Sequence, residues 1–148
     1  YSLWHIFRIE DIVVHTLIKN DEQIFFAGDY QKKMNSPIIT TGNELVREQI
    51  ADFSQCLNVD VLYEYIIAVK ESTDEWLKSI DFTELKRIFD DADKNRIRKM
   101  NVVSTDERAI WLIDYWCNKD VKGLIKMPLS RHWIMHIEAS IRIKNRIS

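Results

Sequence analysis

Glycine and proline are scarce in this chain of 148 residues, which has three glycines and two prolines. Because these residues break helices and mark turns, their scarcity excludes a many-turned β architecture and favours long helices. The chain also lacks an apolar run long enough to cross a bilayer. Hydrophobic residues make up 46% of it and charged residues 30%, a balance typical of a folded domain. The sequence therefore predicts one all-α domain over residues 1–148.

Neither sign of charge is in excess, since the formal net charge is −2. The sequence therefore lacks the basic footprint of a nucleic-acid or membrane binder, and we expect neither partner. Cysteine is equally rare: Cys56 and Cys117 lie far apart and outside any CxxC motif. Two reduced core thiols in a cytoplasmic protein are the favoured interpretation, with a lone disulfide as the alternative. Phosphate-binding glycine loops and GxSxG motifs are absent from the sequence.

Apolar residues at helical spacing predict a first helix from Ser2 to about Lys19. Residues 20–42 are expected to form a long connection with a short helix around 22–34. Further helices are predicted over residues 43–57, 59–79, 81–99, 104–118 and 128–146. Ser104 and Glu107 have capping-box spacing, and Pro128 suits the first residue of the last helix.

Two histidines, His132 and His136, stand four residues apart in "SRHWIMHIEAS". At about 100° per residue, both fall on the apolar face of the last helix and point into the core. A buried imidazole needs partners for its ring nitrogens. Hydrogen bonds within the core or a shared metal ion would each supply them, and the pair alone leaves both interpretations open.

A third ligand would have to come from the first helix, which carries His5 and His15. These two are about 15 Å apart along the helix axis, so they cannot both join the His132/His136 pair at one metal. Parallel packing of the first and last helices would bring His5 to the pair, whereas antiparallel packing would put the start of one beside the end of the other. The pattern leaves the direction open, and His15 is interpreted as a structural histidine.

Side chains next to these histidines are candidates for a substrate pocket. Trp4 and Trp133 could form its walls, although tryptophans in a helical bundle are first of all core residues. Arg8 lies one turn from His5 and could hold an anionic substrate. The alternative for this arginine is an ion pair with a carboxylate, either Glu10, Asp11 or Asp114. The sequence identifies no general base.

The segments "LWHIFRIED" (residues 3–11) and "MPLSRHWIMHIEASIRI" (residues 127–143) resemble the DinB-like superfamily of bacterial four-helix bundles. The middle stretches "TGNELVREQIADFS" and "VLYEYIIAVKESTDEWL" are similar to its Firmicute members. The resemblance implies a DinB-like helical bundle with a metal site formed by His5, His132 and His136. It also implies a helix before the one that carries the first histidine, so we expect an N-terminally truncated bundle.

The resemblance implies a metal-dependent enzyme, either a hydrolase or an S-transferase that uses a low-molecular-weight thiol. Three neutral imidazoles suit Zn²⁺, Ni²⁺ or Fe²⁺ and leave a further position for water or a thiolate. The expected partners are a small-molecule substrate and a second copy of the chain in a homodimer. The alternative is a non-catalytic, metal-binding or dimerising bundle of the stress response, which a closed coordination position or the lack of a cleft would favour.

Overall fold

The computed structural model describes residues 1–147, and every regular element in that range is helical. The predicted all-α class is confirmed. The α-helices are α1 (Ser2–Asp11), α2 (Ile24–Ala27), α3 (Tyr30–Lys33), α4 (Arg47–Cys56), α5 (Val59–Ser79), α6 (Asp91–Met100), α7 (Glu107–Cys117), α8 (Val121–Lys126) and α9 (Arg131–Ile147). A π-helical segment, Ile12–Lys19, continues α1, and a 3₁₀ turn, Glu84–Lys86, precedes α6. Within the described range, no helix combines the length and apolarity needed to span a membrane.

The stretch formed by α1 and its π-helical continuation lies at the centre of the fold. Every residue from Trp4 to Ile18 is buried, so this stretch is covered on all sides rather than on one face. Apolar residues of its first half pack with those of α4 and α5, and those of its second half pack with α6, α7 and α8. The predicted extent of the first helix is confirmed, although its hydrogen bonding widens to the π pattern after Asp11.

Because this central stretch is buried, its polar side chains need partners inside the protein. Asp11 accepts hydrogen bonds of 2.9 Å from the first two backbone N–H groups of α2 and from the Tyr65 hydroxyl. Arg8 lies 3.5 Å from the Asp11 carboxylate and donates through Nε and Nη2 to the carbonyl of Ile39. These contacts join α1 to α5 and to the loop that precedes α4.

The connection after the π segment is more structured than expected. The short helix predicted around residues 22–34 is divided into α2 and α3, because Asp29 takes a left-handed conformation between them. The predicted start of the next helix at residue 43 is wrong, since α4 begins at Arg47. Residues 39–42 instead cross the start of α1, and their backbone carbonyls accept hydrogen bonds from the side chains of Tyr1, His5 and Arg8.

The segment after α5 is not the single helix predicted over residues 81–99. It forms a 3₁₀ turn, becomes extended at Arg87 and restarts as α6 at Asp91. The restart is fixed by Asp90, whose side chain accepts the backbone N–H groups of Ala92 and Asp93. A good N-cap residue in mid-segment therefore determines where the helix begins, and the apolar spacing does not.

The starts of the last two predicted helices also differ. Asp106 caps α7 by accepting the N–H of Arg108, whereas Ser104 accepts the N–H of Asp106, so the expected capping box does not form. Asp120 caps the additional short helix α8. Pro128 follows a cis peptide bond in the turn between α8 and α9 and is not the first residue of α9.

The cysteines are confirmed as unbonded, although only one of them belongs to the core. Cys117 is buried, whereas Cys56 is exposed at the end of α4. The expectation of two core thiols is therefore wrong for Cys56.

Helix α9 crosses the first half of the central stretch in the antiparallel direction. Trp133 donates from Nε1 to the carboxylate of Glu10 at 3.1 Å, while Ile141 lines a surface groove together with Leu3. Residues later in α9 therefore lie beside residues earlier in α1, as expected for two antiparallel helices. Because α9 begins opposite the middle of this stretch, its first turns still reach the fourth residue of α1, which is His5.

Candidate metal centre

Three histidines from two helices meet at one point beneath the loop that precedes α4. The Nε2 atom of His132 lies 3.2 Å from Nε2 of His5 and 3.0 Å from Nε2 of His136. One ring nitrogen from each residue lies within 4.8 Å of the other two. His5 and His132 are buried, and His136 is half-buried. The cluster that the sequence predicted is therefore present, and it could hold a metal ion.

The ring of His5 is oriented by the backbone. Its Nδ1 donates a hydrogen bond to the carbonyl oxygen of Thr41 at 2.6 Å. A neutral imidazole has only one N–H, so this bond puts the lone pair on Nε2, the atom that faces the cluster. Hydrogen bonds of this kind orient the histidine ligands of metal sites.

Burial keeps the three rings in the neutral form that binds metals. Desolvation lowers the pKa of His5 to about 4 and that of His132 to about 3, and it also lowers the pKa of His136. The neighbouring imidazoles lower the first two pKa values further. At neutral pH the three rings are therefore uncharged. Each has a nitrogen lone pair that can accept a hydrogen bond from a neighbouring ring or bind a cation.

The donor set fits a divalent metal ion better than it fits a purely hydrogen-bonded core. Within residues 1–147, Nδ1 of His132 is buried without a hydrogen-bond partner, whereas its Nε2 faces the other two rings. Nitrogen ligands placed tetrahedrally at the usual zinc distance are roughly 3.3 Å apart. The separations of 3.0 and 3.2 Å lie close to that value. One cation would accept three lone pairs that neutral imidazoles cannot all satisfy among themselves.

The loop that precedes α4 and the ring of Tyr1 cover one side of the cluster. Tyr1 stacks on the His5 ring with 5.3 Å between centroids, and its hydroxyl donates to the carbonyl of Gly42 at 2.9 Å. Gly42 has a φ of +78°, and a Cβ atom there would lie 2.9 Å from the Trp4 ring. Sequence reasoning missed Tyr1, Thr41 and Gly42, since contacts through backbone carbonyls leave no pattern of residue types.

A cavity of about 440 Å³ opens onto the three histidines. Most of its remaining wall is apolar or aromatic and includes Ile9, Trp111, Tyr115, Trp116, Met127 and Met135. Asn43 also lines it, with a buried Oδ1 atom that has no hydrogen-bond partner in the part of the chain that the structure describes. Among the described residues, no aspartate or glutamate lines this cavity. We refer to it below as the histidine cavity.

The three predicted pocket residues lie elsewhere. Trp4 is buried against Phe53 with 4.5 Å between ring centroids, and Arg8 is buried in its ion pair with Asp11. Trp133 lines a different cavity, of about 500 Å³, between α5 and α9. None of the three is among the residues that line the histidine cavity. Their contacts hold α1 and α9 in place, which is how they contribute to the site.

The fourth histidine is separate from the cluster. His15 is buried, with Nδ1 at 2.6 Å from the Asp21 carboxylate and Nε2 at 3.1 Å from the Ser72 hydroxyl. Both ring nitrogens therefore have protein partners. This agrees with the interpretation of His15 as a structural histidine.

Comparisons with protein families, curated proteins and solved structures find no match to this chain. The resemblance to the DinB-like superfamily therefore stays a prediction. Function is therefore inferred from the geometry of the cluster and of its cavity.

Proposed function

We propose that this protein binds a divalent metal through His5, His132 and His136 and transfers a small-molecule thiol onto an electrophilic substrate. The supporting observation is the convergence of three neutral imidazole nitrogens at the wall of a cavity large enough for a ligand. Three protein ligands are the number found in catalytic zinc sites, which leave a further position for water or substrate. Zn²⁺ and Ni²⁺ are the favoured metals, with Fe²⁺ as the third choice.

When bound, such a metal stabilises the thiolate form of a ligand sulfur at neutral pH. The thiol proton is released to solvent. The sulfur then forms a bond to an electrophilic carbon, and the leaving group departs with the electron pair of the broken bond. The protein's own residues supply orientation: Thr41 holds the His5 ring, and Trp116 and Met135 offer apolar surface to the thiol or to its acceptor.

The wall of the histidine cavity favours thiol transfer over hydrolysis. Attack by water is commonly assisted by a general base, for which a carboxylate is a frequent choice. The described wall of the cavity carries no carboxylate, and the Glu10 carboxylate lines the other cavity, between α5 and α9. A thiol bound to such a metal would be deprotonated outright, whereas bound water would have a pKa of about 7, so thiol transfer depends less on such a base. The observation therefore supports the transferase over the hydrolase.

Cobalt provides the test, because Co²⁺ replaces Zn²⁺ at nitrogen sites and gives a visible spectrum. The metal-free protein is titrated with Co²⁺ and then with 2-mercaptoethanol. We expect tight cobalt binding and, on addition of thiol, a new near-ultraviolet sulfur-to-cobalt band. His136→Gln should lose both, whereas His15→Gln, which changes a histidine outside the cluster, should keep both.

Two other outcomes would contradict the proposal in different ways. Cobalt binding without any thiol band would favour the non-catalytic metal-binding alternative. Absence of cobalt binding would indicate that the three histidines are core residues that bind no metal. If the band forms, thiol consumption is then measured with 1-chloro-2,4-dinitrobenzene as the electrophile, and we expect catalysis that His136→Gln abolishes.

A further inference from the structure

A second cavity, of about 430 Å³, adjoins the histidine cavity. The two share three wall residues, Tyr115, Met127 and Met135. Beyond this shared wall, the second cavity is lined by cationic side chains from the end of α7 to the start of α9: Lys119, Lys126 and Arg131. A ligand that extends out of the histidine cavity over Met127 or Met135 therefore arrives among positive charges.

These positive charges are not compensated locally. Lys126 and Arg131 are exposed and take part in no ion pair within residues 1–147. The ammonium of Lys119 lies 4.1 Å from the centre of the Tyr115 ring, at the boundary between the cavities. The carboxylate nearest in sequence, that of Asp120, accepts the N–H of Gly123 as the cap of α8. No described aspartate or glutamate lines either cavity.

The wall of the histidine cavity, by contrast, carries no lysine or arginine among the described residues. Apart from the imidazoles, its lining is apolar or aromatic, with Asn43 and two tyrosine hydroxyls as polar groups. A charged group placed on that wall away from the cluster would lose its hydration without gaining an ionic partner. A ligand whose sulfur occupies the cluster therefore has a favourable place for a second negative charge only in the second cavity.

We propose that the substrate thiol is an elongated anion, with its sulfur at the histidine cluster, its apolar body against Tyr115 and Met135, and an acidic tail between Lys126 and Arg131. The inference rests on the proposed function for the identity of the sulfur end. It adds the charge of the substrate and the position at which that charge is recognised. Lysine and arginine donate hydrogen bonds to carboxylates, and such charge-assisted bonds are stronger than neutral ones.

Two matched series of thiols test the inference on the cobalt-loaded protein. One series is the ω-mercaptoalkanoic acids, and the other is the ω-mercaptoalcohols of equal length, with chains from two to about ten carbons. Dissociation constants are read from the sulfur-to-cobalt band. We expect the acid to bind about tenfold more tightly than its alcohol at the best-fitting length, as one charge-assisted contact would provide. The advantage should shrink in high salt.

Substitutions then locate the tail. The double variant Lys126→Gln/Arg131→Gln should reduce the preference for the acid to less than about twofold and leave alcohol binding unchanged. Lys122→Gln is the matched control, because Lys122 is an exposed lysine of α8 that lines neither cavity. Equal affinity for acids and alcohols at every length would overturn the inference. Survival of the acid preference in the double variant would overturn it as well.

The inference and the proposed function can fail separately. If cobalt or the thiol does not bind, the proposed function fails. Calorimetry on the metal-free protein then compares alkanoates with alcohols of the same length, with and without the double substitution. An acid preference that depends on Lys126 and Arg131 would support an anion-binding site at these residues. Equal binding of alkanoates and alcohols would show that there is no such site. If the thiols bind cobalt without regard to charge, only the inference is overturned.

Discussion

Nδ1 of His5 lies 2.6 Å from the carbonyl oxygen of Thr41, a residue 36 positions further along the chain. This contact turns the lone pair of Nε2 toward His132. The acceptor is a backbone atom, so the orientation of the ring depends on the conformation of the loop rather than on the threonine side chain. The loop that precedes α4 is therefore part of the proposed metal site, although it supplies no ligand.

Gly42→Ala tests the role of this loop. The alanine would have to adopt a φ of +78°, with its Cβ atom 2.9 Å from the Trp4 ring and 3.0 Å from the Tyr1 ring. We expect the free energy of unfolding to fall by about 1–3 kcal/mol. Movement of the Thr41 carbonyl should also weaken metal binding by roughly 10- to 100-fold. Urea unfolding and metal titration measure the two effects.

The control for this variant is Gly123→Ala, which changes a glycine of α8 with an ordinary helical φ. Its metal affinity should equal that of the wild type. If Gly42→Ala binds metal as tightly as the wild type, the loop does not orient His5.

Asp11→Asn tests the buried network beneath the site. The carboxylate of Asp11 is fully buried, lies 3.5 Å from the Arg8 guanidinium and accepts three further hydrogen bonds. Its neutralisation leaves a buried arginine without its counter-charge, so we expect a loss of about 3–5 kcal/mol in unfolding free energy. Asp74→Asn, in an exposed pair with Lys70, should change stability very little. Equal urea midpoints for the two variants would contradict the importance of the buried pair.

Glu10→Gln tests the pH dependence of stability. Burial raises the pKa of Glu10 from 4.5 to about 7, although Trp133 donates a hydrogen bond to its carboxylate. As pH rises from about 4.5 to 7, the unfolded chain releases this proton while the folded chain retains it. The contribution of Glu10 to stability should therefore fall across this window, by an amount on the order of 3 kcal/mol, while His5 and His132, whose pKa values are lowered, contribute in the opposite direction. Urea unfolding at a series of pH values measures the slope.

Glu10→Gln should lack this falling contribution, so its unfolding free energy should increase relative to that of the wild type as pH rises from about 4.5 to 7. Glu138→Gln is the matched control, since Glu138 is an exposed glutamate on α9. It should keep the wild-type pH dependence. A slope in Glu10→Gln equal to that of the wild type would show that Glu10 does not titrate between its unfolded-state value and about pH 7.

The periodicity of apolar residues predicted the helical class, the extent of the first helix and the shared face of His132 and His136. It could do so because helical geometry makes residues four apart neighbours whatever their tertiary setting. The direction of α9 relative to α1 could not be predicted in this way. The histidines meet in the antiparallel arrangement only because α9 covers half of the central stretch, and that depends on the length of the preceding turn.

Other features of the site lack a sequence pattern altogether. Helix α8 has six residues, fewer than two turns, so no apolar repeat can reveal it. The acceptor for His5 is a backbone carbonyl, which every residue has. Arg8 and Trp133 were expected beside a ligand because they stand near the histidines in sequence. In the structure, Arg8 instead pairs with the buried Asp11, and Trp133 donates a hydrogen bond to the buried Glu10. Neither side chain therefore lines the histidine cavity.

Metal content measured by elemental analysis tests the central proposal most directly. Untagged wild-type protein is compared with His132→Ala and with the control His15→Gln, after incubation with Zn²⁺ or Ni²⁺ and removal of free ion. We predict close to one metal ion per chain in the wild type and the control, and almost none in His132→Ala. A wild type without bound metal, or a His132→Ala variant that retains it, would contradict the proposal that the three histidines form a metal site.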